Sequence, residues 1–554
     1  DIVKADSGYL YSLRNNADGP EVSIVDAANL EVVSTIPLEN EDDVSEIYLM
    51  EDSLILIGDG RWGETASDQT AMTQPVSAAT GGMFAEFNQP LSQDDSAKSP
   101  GSLPQGTEPE QADRVASLQE APAATAIVYN IEDCAQPRES GRFRQSGSYL
   151  DSRLCDGTLY LISEQMVTAD VRSDEALMGE LVPCVSNSTT DSPQLLGADD
   201  IVIGEESDTP VYSVVSAIQV EESTASTKAL LGTFSKVYVT PETFYLFGEN
   251  DSDGQIKTDV FSFSDEQGEL ELTDWTVLTG SVSDPAHWNA SDGCLRVITT
   301  SYDSQGTVRY TLSLLERGVT GSLEDLTQGK WLNGVSYQGD ILYLSVDSEG
   351  EELLTVDLSD PGHLKVQGRA SFADWPTVLQ PLEGESFVGL GENLVQQEDG
   401  LSSQGMKLSL YDLPDPGAPK ESFAFPIGEV GSYSEALSDS RAFLCLQEKK
   451  IVGFPVITYG DSQPAPADGN VTRQYQMNFN GYLVFSVDLE DGISLLAALP
   501  GSADSQLENW EVSSQGYAIT RGMVIGDRFY TVSNSRIAAY SMDDYKLVDE
   551  LLYL

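Results

Sequence analysis

The side chains that could do chemistry here are two histidines, five cysteines and a large surplus of carboxylates. A Ser-His-Asp or Cys-His mechanism would have to use His287 or His363 as its base. His363 falls in the turn SDPGHLK, the place of a solvated loop residue. The spacings HExxH and GxSxG, the Walker A loop and the Rossmann glycine fingerprint do not occur. Cys134, Cys155, Cys184, Cys294 and Cys445 are too scattered for a zinc cluster or a disulfide framework. They read as small buried residues, with Cys134–Cys155 the one pairing worth considering. The stretch ENDSDGQ (249–255) sets Asp251, Asp253 and Gly254 as an EF-hand loop would. Val260 stands where that loop needs its closing bidentate acid, so a hairpin turn is favoured. No cofactor is expected, and calcium is the only metal with a candidate.

Charge narrows the partners. Ninety acidic residues face 29 basic ones, a net charge of −61. Such a surface repels nucleic-acid backbones and anionic headgroups, and it suits a salt-exposed protein. No run is long enough to span a bilayer. The sequence opens on Asp1 rather than Met, so an N-terminal leader or anchor removed before this numbering is expected. Apolar residues make up 40% of the chain, enough for a substantial core.

The elements that must position any site come from repetition. IVYNIEDCAQPRESGRF (127–143), TVDLSDPGHLKVQGRASF (355–372) and SLYDLPDPGAPKESFAF (409–425) share a plan of apolar run, acidic turn and second run. Asp-Pro suits the turn, because proline presets φ and aspartate caps free backbone amides. A longer unit recurs around them: a short strand, a turn with Asp or Gly, then an apolar strand. Its clearest copies are SRLCDGTLYLIS (152–163), GVSYQGDILYLSV (334–346) and GMVIGDRFYTVS (522–533). Looser copies begin at residues 1, 46, 236, 289, 378 and 435, which makes nine.

Four short antiparallel strands recurring every roughly 40–60 residues are the signature of propeller blades. The nearly continuous apolar runs fit blades packed on both faces. The fold expected is all-β, a single β-propeller of four-stranded antiparallel blades over 1–554. Nine blades are counted, or eight if 280–328 supplies part of another. Insertions at 61–122 and 168–210 interrupt the second and third blades, with a helical turn expected in DEALMGEL (174–181), and 459–470 makes a smaller excursion in the eighth.

These phrases, with DIVKADSGYLYSL, SYSEALSDSRAFL and RGMVIGDRFYTVSNSRI, resemble bacterial and archaeal secreted proteins with a C-terminal β-propeller domain. That family is distantly related to WD-repeat propellers, and the resemblance runs over nearly the whole chain. It implies a secreted or surface-attached propeller and brings no catalytic motif. The departures are Cys134, where the hairpin phrase usually has proline, and the long 61–122 insertion.

Aligning the repeats on the second-strand aromatic, then counting seven and nine residues back, marks the opening of each innermost strand. Those positions hold Lys4, Glu46, Asp151, Arg153, Lys236, His287, Asn289, Ser336, Ser434 and Arg521. In a propeller they would surround the mouth of the central channel. Four cations there, in so acidic a chain, could form an anion or acidic-ligand site. Pairing of these residues with acidic neighbours between blades is the favoured alternative. The function expected is a monomeric, extracellular or cell-surface binding module for a protein or glycan partner. A carboxylate- or calcium-assisted hydrolase or lyase at the channel mouth is the competing reading, with Asp251 and Asp253 as its weak metal candidates.

Overall fold

Short apolar strands separated by Asp- and Gly-bearing turns can bury both faces only by stacking sheet on sheet, and a ring of blades results. The computed structural model describes every residue except 17–18, 39–42, 63–120, 168–180, 189–192, 204–209, 242, 253, 267, 349, 373–375, 383–385, 398–399, 413–419, 462–474, 503–517 and 554. The described strands form nine sheets, each built on four antiparallel strands that are consecutive in the chain except in blade three. Their first, innermost strands are Val3–Ala5, Asp43–Met50, Ser148–Cys155, Phe234–Val239, Trp288–Ser291, Leu332–Gln338, Val378–Pro381, Leu444–Leu446 and Ile519–Ile525. Residues 280–328 supply a blade of their own, the fifth, so the ring has nine blades rather than eight.

Each core lies between neighbouring blades. Tyr11, Val22 and Ile24 of blade one pack on Ile47, Leu54 and Ile127 of blade two. The ring closes in the same way, Leu10, Val25 and Leu30 of blade one packing on Tyr530, Val532 and Ile537 of blade nine. First and last blades each take their four strands from consecutive sequence, so no shared strand closes this seam among the described residues.

The repeated hairpin phrases are the third and fourth strands of blades two, six and seven. In blade six, Asp360 Oδ1 accepts from the Gly362 amide at 3.0 Å, the cap expected of Asp-Pro. The turn of the third copy lies outside the described residues. Such turns also receive the neighbouring blade. Tyr530 Oη donates to the Ala27 carbonyl at 2.7 Å, and Tyr160 Oη to Asp265 Oδ2 at 3.0 Å. In blade two, the Tyr11 hydroxyl meets Cys134 Sγ at 3.5 Å. All five cysteines are free thiols, so Cys134 and Cys155 are not bridged.

The insertions prove partly structured. After the second strand of blade three, Cys184–Asn187 and Gln194–Leu195 extend the outer edge of blade two. Ile201–Ile203 adds a parallel strand to the outer edge of blade three. Their polar flanks hid them from a composition-based reading. The 174–181 helical turn lies outside the described residues but for its last position, as does most of 61–122. Arg61 stands opposite Pro122 at the ends of two paired strands, so that segment leaves and re-enters the blade at one point. Replacing 63–120 by a short turn is therefore expected to leave the thermal midpoint nearly unchanged, since loop length costs little. A calorimetric fall of more than about 8 °C, over twice what 1 kcal/mol produces in a large domain, would refute this.

Candidate functional site

Inner-strand side chains alternate between facing the neighbouring blade and facing along the channel wall. Lys4 and Arg153 stand opposite the second-strand tyrosines Tyr11 and Tyr160. Lys236 and Arg521 stand opposite Phe247 and Val532, two residues beyond the corresponding Tyr245 and Tyr530. The candidates thus occupy two tiers about 7 Å apart along the strands.

Side chains from five blades meet in one charged cluster. Arg521, buried at 6% exposure, donates to Asp1 Oδ1 at 3.0 Å, Glu435 Oε1 at 3.3 Å and Asp439 Oδ2 at 2.6 Å. Asp439 Oδ1 also accepts from Arg441 Nε at 2.8 Å. Arg441 then reaches past blades nine and one to Glu46 Oε1 of blade two, at 3.1 Å. Tyr48 Oη lies 2.8 Å from the Ser152 carbonyl of blade three and 3.2 Å from Glu46 Oε2, its one proton shared between these two acceptors. Arg153 bonds the same Ser152 carbonyl at 2.6 Å and pairs with Asp151 on its own strand.

Lys4 differs from the other cations. Its Nζ lies 5.7 Å from the centroid of the Tyr48 ring and has no hydrogen-bond or ion-pair partner among the described residues. Burial lowers its pKa; Glu46 opposes this, while the guanidiniums of Arg441 and Arg521 add to it. Burial pushes the Asp439 carboxyl up, but hydrogen bonds from Arg441 and the charge of Arg521 outweigh it and hold it below its usual range. Asp151 goes the other way, burial raising its pKa against the pull of Arg153.

The remaining candidates lie apart. Lys236 donates to Glu249 Oε1 at 2.7 Å and to the Val282 carbonyl, on the wall of a cavity of about 210 Å³ that Phe247 and Thr258 also line. His287 sits in a 3-10 turn capped by Asp284, and burial lowers its pKa against the pull of Asp284. Asn289 and Ser336 are inner-strand residues opposite Arg296 and Tyr343. Asp251 is exposed in the second strand of blade four, opposite Ile256, and Asp253 lies outside the described residues.

The repeat at 435–447 needs a correction. Residues 435–442 form two 3-10 turns, and only Leu444–Leu446 is the inner strand of blade eight. Its second strand is Ile451–Asp461. Ser434 is therefore a cap, its hydroxyl accepting from the Ala436 amide, and Asp439 caps the next turn through Arg441 N. This misreading concealed Glu435, Asp439 and Arg441. Ser and Asp five residues apart, each starting a short polar turn, were the signal that could have found them.

The chain belongs to the β-propeller domain family, whose profile matches residues 1–545. An uncharacterized protein of Methanocaldococcus jannaschii is 28% identical over 198 residues, 34% of this chain and 30% of that protein. One of Archaeoglobus fulgidus is 24% identical over 295 residues, 53% of this chain and 39% of its own length. The chain thus spans well under half of either relative. Among solved structures, the β-propeller domain of the Trilobed protease from Pyrococcus furiosus is similar at TM-score 0.31 and 8% identity. That match covers 73% of this chain and 94% of the other. The periplasmic gluconolactonase of Pseudomonas aeruginosa is similar at TM-score 0.30 and 11% identity, over 61% and 91% of the two chains.

Proposed function

We propose that this protein is a non-catalytic binding module, exported or held at the cell surface, whose channel mouth receives a carboxylate of a protein or glycan partner. One observation carries the reading: above the buried Arg521, two cations of the mouth, Arg441 and Arg153, stand further into solvent than the acids they pair with. Arg441 is 52% exposed above Glu46 at 20%, and Arg153 47% above Asp151 at 24%. Lys4 adds a donor that no described residue occupies. The chain as a whole, at −61, repels polyanions, so a single carboxylate on an otherwise neutral scaffold fits best. Glu46, which a paired-carboxylate hydrolase would enlist, is engaged by the Arg441 guanidinium, an arrangement suited to holding rather than to proton transfer.

The test uses two pairs of fluorescent probes, a neutral peptide with a free or an amidated C-terminus and a neutral glycan ending in a uronate or its methyl ester. The free acid of one pair is expected to bind and its blocked form not to. Lys4→Met should weaken binding about tenfold or more without moving the thermal midpoint, since Lys4 holds no fold contact stronger than the Tyr48 ring. An acid near Lys4 raises its depressed pKa, so binding in alkaline buffer should take up protons. Equal binding of acid and blocked probes, or an unaffected Lys4→Met, would reject the site.

A further inference from the structure

The chain itself shows what its outer blade edges can do. The outer strand of blade two, Arg138–Ser146, bulges near its start, and Cys184–Asn187 pairs with it beyond the bulge, opposite Phe143–Gln145. Blade three takes Ile201–Ile203 on its own outer strand. Among the described residues, the other seven outer strands have open edges. Open edges are commonly blunted by charged side chains, lysine above all, and by proline. Lys365–Phe372 and Lys420–Ile427 carry such residues, and Glu31–Pro37 and Gly492–Pro500 end in proline.

Glu269–Thr279 and Val319–Leu323 carry no lysine, arginine or proline, and neither does the outer strand of blade nine, Leu547–Leu552. Leu547, Val548 and Leu552 are each roughly half exposed, a dense apolar display for six residues. A bulge at its start is followed by a regular run from Asp549 to Leu552, the arrangement that accepts an added strand in blade two. Acidic side chains surround it: Asp543, Asp544 and Asp549 are exposed, and the nearby Lys546 is already paired with Asp544. A second copy of a chain at −61 would be repelled from such an edge.

The geometry points to this edge as a docking site for an extended segment of a cationic protein, added as a fifth strand to blade nine. Main-chain hydrogen bonds to Asp549–Leu552 supply affinity. Apolar side chains cover Leu547, Val548 and Leu552, and lysine or arginine at alternating positions meets Asp543 and Asp549. The site is independent of the channel mouth and uses none of its residues.

The experiment uses the whole chain with a synthetic peptide of alternating valine and lysine, and its valine–glutamate counterpart as control. Hydrogen exchange should show the lysine peptide slowing amide exchange in Leu547–Leu552, and fluorescence anisotropy should show its affinity falling as salt rises. Val548→Lys with Leu552→Lys should weaken it about tenfold or more at an unchanged thermal midpoint, both side chains being half exposed. Asp549→Asn should weaken it less, without altering apolar contact. Equal binding of the two peptides, protection confined to another edge, or full affinity in the double-lysine variant would overturn the proposal. So would self-association in sedimentation that the same substitutions remove, which would assign the edge to a second copy.

Discussion

Replacing Arg521 by alanine is expected to lower the unfolding free energy by about 3 kcal/mol, the lower end of the range for breaking a buried ion pair. The guanidinium is nearly inaccessible and satisfies carboxylates from three places, Asp1 ahead of the first blade's inner strand and Glu435 and Asp439 leading into blade eight. Its removal leaves those carboxylates facing one another at the seam that no shared strand closes. Their partial exposure to water screens the loss and places it low in the range. Arg521→Lys should recover only part of it, because one ammonium cannot span three acceptors. The effect also has a pH signature. Asp439 titrates below its unfolded value, so its contribution is fully present above roughly pH 4 and is lost as pH falls through the lower folded value. The gap between wild type and Arg521→Ala should therefore narrow in acid. Urea unfolding across pH 3–7 would measure this. A loss below about 1 kcal/mol at neutral pH would show that the seam is held by its apolar contacts alone.

What could be read from the sequence follows from what is local. Runs such as ILYLSV and GYLVFSV announce strands buried on both faces, and Asp-rich turns between them announce hairpins. Blade number and strand order followed from repetition. The second strand of blade eight was misassigned because FLCLQ, the short inner strand, resembles a second strand when the turns before it are read as strand. The edge strands from 184–203 are two to four residues long in polar surroundings, too short for any alternation to show. The register argument did select Lys4, Glu46, Asp151, Arg153 and Arg521, which share one cluster. It also selected Lys236 and His287, which do not. Arg441 and Glu46 are 395 residues apart, and nothing in either neighbourhood points to the other. Contacts across the channel are set by ring closure, and no local pattern encodes them.

Gly522→Ala is expected to cost about 1–3 kcal/mol, through overpacking rather than backbone conformation. Gly522 lies on the inner strand of blade nine, against the ring of Tyr482 on the third strand of blade eight. A Cβ there would lie 2.6 Å from the Tyr482 hydroxyl oxygen and 2.8 Å from its Cε2, well inside van der Waals contact. The ring has no route of retreat. It is fully buried, Phe529 lies 5.5 Å away between centroids, and a Cβ on Gly453 would meet its Cε1 at 2.6 Å. Two glycines from adjacent blades therefore form the slot that holds one tyrosine, and the pair of blades fits together only while both lack side chains. A double-mutant cycle isolates this. Tyr482→Leu alone leaves a cavity and destabilises, yet in the Gly522→Ala background it should cost less, because the smaller side chain makes room for the new methyl. Wild-type stability for Gly522→Ala, or strictly additive losses in the cycle, would mean that blades eight and nine can slide apart without cost, and the slot would have no part in setting their spacing.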